Sequence, residues 1–148
     1  MKTIIIFIFS IALLGCPKNV EGSFTNISKG NLFGNGSEGF IKENIVISSK
    51  SEWLLFLTKV DATNKVSKKF KKSINFSKET IVVAVDKVRN TGGFSIEIIE
   101  VLIEKNRLLI KVKSTAPKTF DMVTMAVMQP YHIIKIKNTN KKIKFLEQ

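Results

Sequence analysis

The chain has 148 residues with 24 Lys plus Arg against 12 Asp plus Glu, a net charge of +12, and one cysteine and one histidine. One cysteine excludes an internal disulfide, and the length suits one domain rather than two. Lone histidine and cysteine also leave nothing for a His/Cys metal cluster, so no metal or cofactor is expected.

The first elements read as export machinery. Met1-Lys2 is a short positive start, and Ile4 to Leu14 is an apolar run broken only by Ser10. That is too short to span a bilayer and suits the hydrophobic part of a signal peptide. Leu13-Leu14-Gly15-Cys16 follows and resembles the lipobox of bacterial lipoproteins. The resemblance implies cleavage before Cys16 and lipidation of Cys16, which then attaches the chain to a membrane. An ordinary secretory signal with an incidental cysteine is the other reading. Pro17-Lys18 lacks the Asp that often retains lipoproteins at the inner membrane, which favours the outer membrane. Cleavage removes one cation, Lys2, so the exported chain stays strongly basic. Export argues against nucleic acid as the partner. Lipid headgroups, an anionic envelope polymer or an acidic protein then fit the charge, as does simple surface solvation.

Residues 16–39 read as the lipidated cysteine and a flexible tether, because Gly22, Gly30, Gly34, Gly36 and Gly39 cluster there with Ser and Asn. Phe24, Ile27, Leu32 and Phe33 hint that part of it docks on the body. The body is expected over 40–148. Ile45-Val46-Ile47 is a short strand or extended entry. Ser49-Lys50-Ser51-Glu52 has capping-box spacing, and Trp53, Phe56, Leu57 and Val60 form one apolar helical stripe. Residues 61–73 read as a short helix or loop.

Strand patterns follow. Ile81 to Val85 is apolar on both faces, as in a strand covered on both sides. Phe94, Ile96 and Ile98 alternate with polar residues, and Ile98-Ile99 breaks the alternation, which predicts a bulge. Leu108-Ile110-Val112, Val123-Met125-Val127, Ile134-Ile136 and Ile143-Phe145 read as further strands. Turns are expected at Asn106 and at Asn138 to Asn140. The expected fold is α+β: one antiparallel sheet of about five strands covered by the single N-terminal helix.

Catalytic chemistry is not apparent. His132 lies beside Tyr131 in a strand-like segment and has no Gly-x-Ser-x-Gly nucleophile turn to serve. Glu97, Glu100 and Glu104 read as salt-bridge partners for the lysine rows rather than an acid–base pair. Lys111 with Lys113, and Lys135 with Lys137, each share a strand face, as in edge protection. No enzyme is expected.

After Gly39 the only glycines are adjacent: Gly92 and Gly93, in Arg89-Asn90-Thr91-Gly92-Gly93-Phe94. Glycine there supplies a simple turn, positive φ, or close approach of another chain. Together with Glu52-Trp53, Asn75-Phe76 and Gln129-Pro130-Tyr131-His132, this segment resembles the C-terminal domain of PrcB, a subunit of a surface protease complex. The resemblance covers roughly residues 45–146. It departs at Asn75, Asn90 and Phe94, where an acidic residue, a proline and a tyrosine are usual. It implies a non-catalytic lipoprotein that assembles or regulates a partner, a protease being the candidate. Contact is expected through Arg89, Asn90, Thr91, Gly92, Gly93 and Phe94, with Pro130 and Tyr131 beside them. The loop alone is similar to that of chagasin-type inhibitors, which makes direct protease inhibition a second reading. Binding to an anionic envelope polymer is a third. Oligomeric state stays open.

Overall fold

The computed structural model describes residues 20–70 and 73–148. The signal segment and Cys16 lie outside the described residues. In chain order the elements are β1 (Val20–Glu21), β2 (Phe24–Leu32), β3 (Glu43–Ile47), α1 (Lys50–Val60), a 3₁₀ turn (Val66–Lys69), β4 (Glu79–Val85), β5 (Ser95–Ile103), β6 (Arg107–Thr115), β7 (Gln129–Lys137) and β8 (Lys142–Glu147).

The expected single sheet is two sheets of four strands, and the fold is mostly β with one α-helix. The central sheet has the order β2-β7-β4-β3 and the outer sheet β1-β5-β6-β8. Three layers result: α1, the central sheet, then the outer sheet. Strand β4 shows why. Its alternate residues Ile81, Val83 and Val85 join the cluster under α1, with Phe56, Val60 and Ile133. Val82 and Ala84 face the other way, onto Ile96, Ile98, Ile110 and Ile134. A strand apolar on both faces needs a cover on both, and one helix supplies only one of them. Each such fully buried Val or Ile contributes roughly 1.5–3 kcal/mol relative to exposure.

Two further expectations also fail. Residues 20–39 are not a tether. β2 pairs along β7 from Phe24↔Ile136 to Leu32↔Gln129, and Ile27 and Leu32 are in the core. Strand β1 pairs with the far end of β5, and the chain then changes sheet at Gly22-Ser23. Glycines there read as flexibility, but their neighbours bury apolar surface. The turn at Asn138 to Asn140 also changes sheets: β8 leaves β7 and lies parallel to β6. Finally, Val123-Met125-Val127 is not a strand. Residues 116–127 form a loop, and only Met128 makes an isolated bridge, with Arg89.

Other local readings hold. Ser49 caps α1 in a full capping box with Glu52, and the Ser48 N–H, which donates to Glu52 Oε2 at 2.8 Å, together with the Ser49 bonds keeps the Glu52 carboxyl below its usual pKa. The hairpin at Glu104 to Arg107 closes through the Glu104 N–H and Arg107 carbonyl. Glu97, Glu100 and Glu104 pair with Lys29, Lys111 and Arg107 respectively.

The β5 bulge falls between Ile98 and Glu100. Beside it the Ile98 N–H donates to Nδ1 of His132 at 2.8 Å. His132 is 2% exposed, and Nε2 has no hydrogen-bond partner. Burial, aided by Lys29 and opposed by Glu97, pushes its pKa down to about 4. A histidine held neutral in the fold but free to protonate when unfolded costs stability as pH falls from about 6.5 toward 4. The expected loss between pH 6.5 and 5 is about 1.5 kcal/mol, because the unfolded imidazole is only half protonated at the upper pH and the full slope is reached below it. Urea unfolding across this range measures it. His132→Gln flattens that slope, since histidine is the side chain whose ordinary pKa lies in this range and His132 is the chain's one histidine.

Candidate functional site

Strand directions sort the connections into two ends. β2 and β4 run toward one end, and β5 and β7 start from it. That end gathers three loops: 33–42, 86–94 and 116–128. The opposite end holds Val20, the 104–106 turn and the 138–141 turn, because Val20 pairs with Ile103.

The loop end is stapled by Gln129, which is buried at the start of β7. Its side-chain nitrogen donates to the Phe40 carbonyl at 3.0 Å and to the Asp86 carbonyl at 2.9 Å. One amide therefore ties the first loop to the second. In the first loop, Glu38 is buried and accepts from the Gly34 N–H at 3.0 Å. In the second, Asp86 is buried and its Oδ2 accepts from both Nε and Nη2 of Arg89, at 2.8 and 2.7 Å. The Arg89 guanidinium lies 4.3 Å from the centre of the Phe94 ring, a cation–π stack.

The glycine pair joins the second loop to the third. The Gly92 N–H donates to the Thr124 carbonyl at 2.8 Å. Gly92 is buried, and a Cβ there would collide with Oγ1 of Thr124. Gly93 has φ +85°, and a Cβ there would come within 2.9 Å of Pro117. So the close approach expected at these glycines occurs, but the approaching chain is the protein's own 116–128 loop.

That loop carries what the sequence reading missed. Phe120, Met122 and Met125 are 97%, 102% and 90% exposed. Lys118 and Asp121 brace the loop's turn: the Lys118 N–H donates to Asp121 Oδ2 at 2.8 Å, and the Asp121 N–H to the Lys118 carbonyl at 3.0 Å. Phe33 and Ile41, in the first loop at the same end, are also exposed. Reading Val123-Met125-Val127 as a strand had placed Met125 in a sheet. The signal against it was Pro117 and the polar residues Lys118, Thr119, Asp121 and Thr124 in the same stretch.

Of the expected contact residues, Arg89, Asn90, Thr91, Gly93 and Phe94 are exposed or half-buried. Gly92 is covered by Thr124. Pro130 and Tyr131 are a correction: both are buried. Tyr131 faces the layer under α1, where its hydroxyl meets Ser28 Oγ at 3.0 Å and its ring meets Phe70 edge-on at 6.2 Å. Burial raises its pKa. Pro130 offers only its carbonyl, which accepts from the Asp86 N–H at 2.9 Å. Among the described residues no group of three His, Cys, Asp or Glu is placed to hold a metal ion.

Residues 80–137 match the family model described as PrcB C-terminal, so the family resemblance holds over this stretch. It runs from β4 through β7 and includes the glycine pair and the Met-bearing loop. The match is narrower than the 45–146 expected, and α1 and β8 lie outside it. No curated protein and no solved structure gave a match.

The packing predicts two outcomes. Gly92→Ala destabilises the domain, and adding Thr124→Ala recovers part of the loss because it removes the colliding Oγ1. Gly93→Ala costs about 1–2 kcal/mol for its left-handed backbone alone, with no recovery from Thr124→Ala. Urea unfolding of the four variants reads both. Gln129→Met leaves the Phe40 and Asp86 carbonyls without a donor and costs about 2–4 kcal/mol, measured the same way.

Proposed function

We propose that this protein is a non-catalytic, lipid-anchored binding module of the cell envelope. It grips a partner protein through the loop end, and a surface protease is the partner that the PrcB relationship favours. The observation that carries this is the placement of Phe120, Met122 and Met125. Three large apolar side chains almost wholly in water are costly to keep for a domain that uses them for nothing. Methionines adapt to irregular partner surfaces, and the braced loop presents them with little ordering cost.

Position supports a protein rather than the membrane as their target. Val20 lies at the opposite end, four residues beyond Cys16. Four residues reach at most roughly 14 Å, so lipid on Cys16 places the loop end away from the bilayer. The loop end is also near neutral. Arg89 is paired with Asp86 and Lys42 with Glu147, which leaves Lys87 and Lys118 beside Asp121. A long-range pull toward anionic lipid is weak there.

Insertion of Asn90 to Phe94 into a protease cleft gains nothing from this geometry. Gly92 is roofed by Thr124, and Phe94 is occupied by Arg89.

The test uses the full chain in its own membranes. Mass analysis of the N-terminal peptide is expected to find an acylated Cys16, and Cys16→Ser is expected to release the protein from the membrane. Detergent extraction and affinity capture should retain a partner with proteolytic activity. The triple variant Phe120→Ser, Met122→Ser, Met125→Ser keeps its thermal midpoint, because none of the three is buried, and loses that partner at least tenfold. An unchanged partner set for the triple variant overturns the loop assignment. A retained partner without proteolytic activity overturns the protease part.

A further inference from the structure

We propose that the end opposite the loops is a second binding surface, one that seats on anionic phospholipid. It rests on the lipid-anchored reading and adds a contact that the acyl chains do not supply.

The chain gathers cations at this end from separate elements. Lys78 precedes β4, Lys105 lies in the 104–106 turn, Lys137 ends β7, and Lys141 and Lys142 start β8. All but Lys141 are exposed. Among the described residues none of the five forms an ion pair. The acids nearby are mostly spent: Glu79 is held by Lys135 and Glu104 by Arg107, which leaves Glu21. Five unpaired cations against one free acid among the described residues leave this end electropositive. Nζ of Lys141 also donates to the Lys105 carbonyl at 2.6 Å, which draws the two turns together.

Within this ring is a cavity of about 170 Å³. Its floor is apolar, built from Val101, Ile103, Leu108 and Ile136, and Lys137 and Lys141 stand at its rim. Ile103 and its strand partner Val20 are themselves partly exposed apolar residues. Apolar floor under a cationic rim matches an amphiphile with an anionic head. A soluble polyanion would use the lysines and leave the floor wet. The location decides further: Val20 fixes this end within a few residues of Cys16, so the surface it meets first is the bilayer holding the lipid. Each lysine near an anionic membrane surface raises partition by about fivefold.

The test removes the lipid. Every strand of both sheets lies in residues 20–148, so the chain 16–148 with Cys16→Ser carries the whole fold. It is sedimented with vesicles of phosphatidylcholine alone and of phosphatidylcholine with phosphatidylglycerol. Binding is expected only to the mixed vesicles, falling at least ~10-fold on raising salt from 0.1 to 0.5 M. Lys105→Gln, Lys137→Gln and Lys141→Gln together are expected to lower it about a hundredfold. Phe120→Ser with Met122→Ser is expected to leave it unchanged. Equal binding to neutral vesicles, or full binding by the lysine variant, overturns the proposal. Loss only in the Phe120/Met122 variant overturns it in favour of the loop end. Capture on heparin beads with no vesicle binding overturns it in favour of a polymer. Because this chain is never acylated, these outcomes are independent of whether Cys16 is lipidated in the cell.

Discussion

The β4–β7 pair is the constraint on which the rest depends. Its seven paired positions, from Glu79↔Lys137 to Val85↔Tyr131, run through the middle of the molecule. One face of the pair carries Ile81, Val83, Val85, Tyr131 and Ile133, and the other Val82, Ala84, Ile134 and Ile136. Two apolar faces demand two covers. Helix α1 covers one, with Trp53 and Phe56 stacked at 5.4 Å above it. The outer sheet covers the other. His132 and Lys135 mark the two sides by their polar partners: His132 takes the Ile98 N–H from the outer sheet, and Lys135 holds Glu79 on the helix side. Once this pair is formed, the directions of β2, β5 and β6 are set, and with them which loops share an end.

That directional logic separates two surfaces with different chemistry. The connections from β2, β4 and β6 all arrive at one end, and there stand the most exposed apolar side chains, Phe120, Met122 and Met125. Connections from β5 and β7 arrive at the other, together with β1, and there it leaves lysines unpaired. Net charge alone did not distinguish a basic protein from a polarised one. Many lysines elsewhere are neutralised locally, as Lys29, Lys42 and Lys111 are. Among the described residues, Lys78, Lys105, Lys137, Lys141 and Lys142 stay without an ion-pair partner at the N-terminal end.

Local features were legible in the sequence because their causes are local. The capping box needs only residues 49 to 52, and the β5 bulge only a broken alternation at Ile98-Ile99. Buried-on-both-faces β4 was legible too, but not what covered it. The second sheet was not, because sheet membership is a non-local choice. Nothing within Ile143-Lys144-Phe145 says that β8 pairs in parallel with β6 rather than with β7 beside it in the chain. β2 was obscured by composition. Gly30 and Gly34 look like linker residues, yet a Cβ at Gly30 would press within 3.3 Å of the Tyr131 hydroxyl, and one at Gly34 would collide with the Glu38 carboxylate at 2.4 Å. Gln129 could have been noticed as a polar residue opening an apolar strand, but its partners, Phe40 and Asp86, are 89 and 43 residues away.

The loss of the tether changes how far the domain can act. A flexible run over 16–39 would let the body sample a wide shell above the membrane. With β1 starting at Val20, only residues 17–19 separate Cys16 from the folded domain. Strand β5, nine residues from Ser95 to Ile103, spans roughly 30 Å between the two ends. On the proposed lipidation of Cys16, the rigid sandwich would set the height of Phe120, Met122 and Met125 above it, and the proposed seating of the lysines on headgroups would fix its tilt as well. A partner that meets the loops at that height is bound by a preoriented surface rather than one that must be searched for. The paired glycines have their place in this geometry, as the hinge-free packing that holds the Met-bearing loop against the end of the sandwich.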